Sequence, residues 1–204
     1  MKTIFCIIPM TVKSPAVYKG HPAIANDEAV IFPINGVLSK VLKKDEEVKV
    51  VLLKAIDPTD PDKRSDENEG KYKAELACIN EKIGAKILYD SVAIDFTETR
   101  KEQENLLKGI VDRIDEGADI YADITYGPKS MPIILFYALG FAERFLSAEV
   151  WHIVYGKAYF DREGKPHSHE IIDMTSLYYL NATLNHINIS DPKTARELLD
   201  KLLA

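Results

Sequence analysis

The sequence predicts an α/β protein: a Rossmann-like, mainly parallel sheet with helices on both faces, followed by a C-terminal β-hairpin and helices. Three observations carry this. Short, β-branched, almost wholly apolar runs alternate with longer amphipathic ones in the order strand, helix, strand, helix, four times over, and that alternation calls for parallel strands joined by right-handed crossovers. The runs are apolar on both faces, as strands covered from both sides are. The 204-residue chain is 46% hydrophobic and 28% charged, which suits one well-cored soluble domain.

Lys2 to Pro9 reads as the first strand and as a central one. The connection after it, Met10 to Pro22, is long for an α/β unit. It holds Thr11, Lys13, Ser14, Tyr18, Lys19 and His21 and no acid. It can wall a binding crevice or simply be a mobile polar loop. Asn26 or Asp27 is placed to cap a helix running through Val30, Ile31, Ile34, Val37, Leu38, Val41 and Leu42, with Pro33 and Gly36 delaying or kinking its start.

Glu47 to Ile56 is the second strand, and the turn-rich stretch Asp57 to Asp62 leads to a polar helix from about Ser65 to Ile83, closed by Gly84. Lys86 to Ile94 is the third strand. Thr97 or Thr99 caps a helix reaching about Glu116, and Ala118 to Ile124, between Gly117 and Gly127, is a buried fourth strand.

The fourth strand runs into Thr125-Tyr126-Gly127-Pro128-Lys129-Ser130 and then into the most apolar helix of the chain, reaching about Ser147. Pro128 and Pro132 suit a helix entry and Ser130 can cap it. Apolar on almost every side, this helix is expected to be buried or to sit in a subunit interface. A strand feeding a tight glycine turn and a helix presents free N–H groups and the positive end of the helix dipole. With Lys129 and the hydroxyls of Thr125, Tyr126 and Ser130, the chemistry fits phosphate oxygens. Glu149 to Lys157 is the fifth strand, Ala158 to Thr175 a strand, turn and returning strand, and Ser176 to Ile187 and Pro192 to Leu203 are helices, the last capped by Asp191.

Several classes are set aside. The net charge of −6 argues against a surface that binds DNA or RNA directly. The acidic stretches Asp57 to Glu75 and Thr97 to Glu116 read as solvated faces and leave the Lys129 turn clear. No apolar run approaches the roughly 18 to 20 residues that span a bilayer, and nothing at the start resembles a signal peptide, so a cytoplasmic protein with no membrane contact is expected. Cys6 and Cys78 suggest neither a disulfide framework nor a zinc site. No Gly precedes Gly20, which excludes a dinucleotide fingerprint after the first strand, and neither a phosphate-binding G-x-x-x-x-G-K nor a G-x-S-x-G elbow occurs. No cofactor and no metal are expected; the His167 and His169 pair reads as a solvated turn. Arg162 and His167 match the R-x4-H spacing of HEPN-type ribonucleases, but Gly164 and Pro166 break the helix that motif needs.

Asp123-Ile-Thr-Tyr-Gly-Pro-Lys-Ser130, the apolar helix after it, Val154-Tyr155-Gly156 and the returning Ile171 to Thr175 together resemble the CARF domains of type III CRISPR defence. The likeness is strong from Asp119 to Thr175 and rests on layout before that. Related turns usually read D-x-T-H-G followed by Arg-Ser; here Tyr126 stands in the His position and Lys129 in the Arg position. The resemblance implies a homodimeric receptor for a cyclic oligoadenylate, most often the tetra-adenylate. Residues 1–187 would form the CARF domain, and residues 188–204 a C-terminal helix that could serve as a linker to an effector. Gly127, Pro128, Lys129 and Ser130 would hold phosphates, Thr125 and Tyr126 would complete the turn, Thr11, Lys13 and Tyr18 would contact ribose or adenine, and the apolar helix would line the dimer. An alternative within the resemblance is a metal-independent ring nuclease that aligns a ribose 2′-hydroxyl on its own phosphodiester, with Lys129 and Ser130 as catalytic candidates beside Thr11 and Ser14. A Rossmann-like small-molecule enzyme or a structural adaptor are the readings outside it.

Overall fold

The computed structural model describes every residue except Lys13, Pro58, residues 60–63, Glu98, Asn188, Ser190 and Ala204, and the side chain of His186. In chain order the elements are β1 (Lys2–Ile8), α1 (Pro33–Val41), β2 (Glu47–Ile56), α2 (Arg64–Glu81), β3 (Lys86–Asp95), α3 (Arg100–Val111), β4 (Asp119–Asp123), α4 (Ser130–Phe145), β5 (Glu149–Phe160), β6 (Pro166–Asp173), α5 (Thr175–His186) and α6 (Pro192–Leu203). They build one six-stranded sheet of order β3-β2-β1-β4-β5-β6. All pairings are parallel except β5 with β6. The Rossmann-like architecture is therefore present, and β1 and β4 are neighbours at the point where strand order reverses.

Side chains of β1 alternate between two cores. Ile4, Cys6 and Ile8 meet α1 and α2 through Phe32, Ile34, Leu38, Tyr72 and Leu76, whereas Phe5 and Ile7 meet α3 and α4 through Leu106, Ile110, Met131 and Leu135. A central strand buried on both faces must be apolar throughout, which is why β1 shows no polar alternation. The polar helix α2 is held by a narrow stripe, Ser65, Asn68, Tyr72 and Leu76. Ser65 Oγ donates to Ala55 O at 2.9 Å and Asn68 Nδ2 to Pro9 O at 2.9 Å, so its first turns are tied to the ends of β2 and β1.

Strand β2 has the expected limits, and the hairpin and both C-terminal helices form. The expected helix capped by Asn26 or Asp27 does not. α1 begins at Pro33, because Asn26 is used to pin the preceding loop: its Oδ1 accepts from Tyr18 N at 2.7 Å, and Ala16 pairs with Val30. The start of α1 is capped from outside instead, with Glu75 accepting from the Ile31 and Phe32 amides at 2.6 and 3.2 Å and Asp123 from Ile34 N at 3.1 Å. α3 is capped by Thr99 and ends early, at Val111. Most of the expected turn at Asp57 to Asp62 lies outside the described residues.

One local device recurs. Asp57 and Thr59, Asp95 and Thr97, Asp123 and Thr125, and Asp173 and Thr175 each end or follow a strand with the Thr N–H donating to the Asp Oδ1, at 2.8, 2.8, 2.8 and 2.9 Å. The Asp side chain takes the donor that the departing strand leaves open, the physical reason Asx turns end strands. In the last two, the Thr hydroxyl also accepts an amide of β5, Gly156 N on Thr125 and Ile153 N on Thr175, both at 2.8 Å. Thr175→Val keeps the shape and strips the buried Ile153 N–H of its acceptor, so urea unfolding is expected to show a loss of about 1–3 kcal/mol; an unchanged midpoint would count against the latch.

Candidate functional site

Ligands in open α/β sheets bind beyond the carboxyl ends of the strands where chain order switches direction. Here that place is the gap between β1 and β4, occupied by the turn of residues 124–129. Gly127 has φ +88, and a Cβ built there would lie 2.2 Å from Ile7 Cγ2. Only glycine lets the turn lie down on the end of β1. α4 then starts with Lys129 at its N-cap in right-handed helical conformation, without a side-chain cap. The amides of the first helical turn have no partner four residues back. Gly127 and Lys129 are exposed, and Pro128 and Ser130 half-buried.

The structure divides the expected site residues into two groups. Thr11 and Ser14 are exposed on the loop after β1, and Gly127, Pro128, Lys129 and Ser130 form the rim at the head of α4. Thr125, Tyr126 and Tyr18 serve as buttresses. Thr125 Oγ1 is engaged by Gly156. Tyr126 Oη donates to Ile31 O at 2.8 Å and its ring stands edge-on to Phe32 at 5.9 Å. Tyr18, expected to face a ribose or base, is 2% exposed, packs edge-on against His169 at 5.4 Å and hydrogen-bonds the Tyr126 hydroxyl. Burial raises the pKa of both tyrosines. Lys13 lies outside the described residues. The correction has a simple cause: the loop from Ala16 to Val30 supplies apolar side chains to the α1-side core, and Tyr18 is the largest of them.

Asp123 is the electrostatic centre beneath the turn. It is 1% exposed, and burial lifts its pKa to about 6, against the opposing hydrogen bonds from Thr125 and Ile34 N. Those donors, with the N-terminal end of α1, hold the carboxylate without a cationic partner among the described residues. The sequence reading placed Asp123 in the motif but gave it no task; its recurrence as Asp-x-Thr at strand ends was the available signal. A second polar junction lies on β5 and β6. There His152 Nδ1 meets Asp173 Oδ2 at 2.7 Å, and although burial works to raise the pKa of Asp173, the hydrogen bonds from His152 and Thr175 outweigh it and hold it low.

The sequence reading also missed the extent of β5. It runs to Phe160, and β6 pairs with it only from Val154 onward, the residue at which β4 ends. A hairpin therefore stands beside the turn as a wall. Among the described residues no group of three His, Cys, Asp or Glu side chains is placed to hold a metal ion, and no helix is long and apolar enough to cross a membrane. No protein-family model and no curated protein matches the chain.

The Asp123 shift has a definite sign. Its folded pKa lies above the unfolded value, so the folded state binds the proton more tightly and this group's contribution to stability falls as pH rises from about 4 through about 6. Asp123→Asn cannot ionise and also leaves one of the two amides without an acceptor. The variant is expected to be less stable than the parent at pH 4, with the gap narrowing by up to roughly 3 kcal/mol by pH 7. Denaturant titrations across that range check it, and a pH-independent gap would refute the perturbed carboxyl.

Proposed function

We propose that this chain is a CARF-type sensor that binds a cyclic oligoadenylate, with the tetra-adenylate as the leading ring size, across the two-fold axis of a homodimer. The observation that carries the reading is the turn at the switch point: a glycine pressed onto β1 places exposed Lys129 and the N-terminal end of α4 at the carboxyl edge of the sheet. Backbone donors, a helix dipole and an ammonium converging on one place favour phosphate. Thr11 and Ser14 lie exposed on the loop after β1, the strand that neighbours β4, where ribose hydroxyls could be met.

The homodimer is supported by the outer face of α4 and α5. Ile133, Tyr137, Phe141 and Phe145 recur every fourth residue along α4 and are all exposed, Tyr137 by 70%, with Leu177 of α5 exposed beside them. In a chain that is 28% charged, these two helices carry only Glu143 and Arg144 as formal charges. A neutral aromatic stripe on adjacent surface helices marks a covered face. Because α4 starts at the turn, a two-fold axis along this stripe would present two equivalent turns to a ring of repeated nucleotides.

Incubation with cyclic tri-, tetra- and hexa-adenylate tests the reading. Calorimetry is expected to show one ring bound per two chains, and Lys129→Glu to weaken binding at least about ten-fold, as loss of a charge-assisted phosphate contact does. No binding to any ring would overturn the sensor. Chromatography of the nucleotide afterwards separates passive binding, which leaves the ring intact, from the ring-nuclease alternative, in which Lys129 and Ser130 would assist in-line attack by a 2′-hydroxyl. Sedimentation is expected to show a dimer that Tyr137→Glu with Phe141→Glu converts to monomer; a monomeric parent at tens of micromolar would remove the two-fold site.

A further inference from the structure

β4 and β5 part at Val154. The parallel register ends with Asp123 opposite Val154, and the antiparallel register with β6 begins with Asp173 opposite the same residue. Residues 155–160 therefore carry the hairpin past the edge of the parallel sheet, by about 20 Å at the usual rise per residue. A two-stranded hairpin standing alone is marginal, and this one is braced along the outer edge of β6 and on one face. Lys19 N donates to His169 O at 3.1 Å, Ile171 N donates to Lys19 O at 2.8 Å, and Tyr18 packs there. Gly156 makes room for the brace, since a Cβ would lie 2.5 Å from Pro33 Cγ and 2.9 Å from Tyr18 Cε1.

Strand alternation puts Tyr155, Lys157 and Tyr159 on the opposite face, the side on which Ile153 meets the α4 core. Tyr155 and Tyr159 are exposed there. Their row is organised rather than loose. Lys157 Nζ lies 4.5 Å over the centroid of the Tyr159 ring, and Tyr159 Oη donates to Glu170 Oε2 at 2.5 Å. The row begins one residue from Gly156, whose amide is bonded to Thr125 in the turn. An aromatic, an ammonium and a second aromatic thus span about 13 Å of strand surface next to the phosphate-binding candidate. Flat rings that accept a base of any identity, with a cation between them, are what a single-stranded oligonucleotide needs.

We infer that the bare face of the β5–β6 hairpin is the second wall of the ligand site, with Tyr155 and Tyr159 stacking on nucleobases and Lys157 meeting a phosphate of the ligand that the Gly127–Lys129 turn also holds. The inference rests on the oligonucleotide reading of the turn. It moves the facing wall from the loop after β1, whose Tyr18 is turned inward, to the hairpin that this loop supports.

The test is titration of the full-length protein with cyclic tetra-adenylate at several salt concentrations. Tyr155→Leu and Tyr159→Leu are expected to weaken binding by about ten-fold or more, the loss typical of a stacking ring. Tyr159→Phe, which keeps the ring and drops only the bond to Glu170, is expected to stay within about two-fold, and Lys157→Ala to lower the slope of log affinity against log salt by about 0.7. Thermal melts of each variant establish that it folds. Binding by the parent with all four variants unchanged overturns the hairpin wall and leaves the turn in place. Equal weakening by Tyr159→Phe and Tyr159→Leu would assign the loss to hairpin geometry and overturn the stacking role. No binding by the parent overturns the oligoadenylate reading itself, and the wall with it.

Discussion

The carboxylate of Asp123 is the joint on which the functional end of this protein turns. It sits at the last residue of β4, with no cation beside it among the described residues, and survives burial by accepting from Thr125 N and Ile34 N. Thr125 passes the connection on to β5 through its hydroxyl. Four elements, β4, α1, β5 and the turn into α4, are thereby fixed relative to one another by two side chains. A buried carboxylate is costly unless its lone pairs are occupied, and occupying them with backbone donors from different elements converts that cost into positional specificity. The turn above it, which presents Lys129, inherits its place from this joint.

Around the joint, each segment is used twice. The loop after β1 gives Ala16, Tyr18, Ile24 and Val30 to the core and, with Lys19, props up the hairpin. α4 gives Met131, Leu135 and Leu139 to the opposite core and an aromatic stripe to solvent. The hairpin is anchored on one face and open on the other. Such a division leaves two surfaces at one end of the molecule, the rim of the turn and the row of Tyr155, Lys157 and Tyr159, with the neutral face of α4 running away from the turn along the helix. That arrangement is what makes an extended, phosphate-bearing ligand shared between two copies the most economical reading.

Much of the fold was legible in the sequence because it follows from local periodicity. Doubly buried strands are apolar without alternation, so β1, β2 and β4 announced themselves, and the order of strands and helices left little topological choice. The turn was legible for a related reason: Gly127 between an apolar strand and an apolar helix has few other uses. Asn26 was misread as a helix cap because a cap and a loop pin use the same side chain, and only the position of Tyr18, eight residues earlier, decides between them.

The sequence by itself determined the class of the sheet, the position of the strand-to-helix turn and its cationic, hydroxyl-rich composition, since each depends on residues close along the chain. Tertiary structure alone decided which of those groups face outward. Tyr18 and Tyr126 turn in because the α1-side core has room for rings beside Phe32, and the hairpin stands past the edge of the parallel sheet because β4 stops at Asp123 while β5 continues to Phe160. A strand's length relative to its neighbour, and the space left under a loop, are properties of the packed sheet rather than of any single stretch of chain.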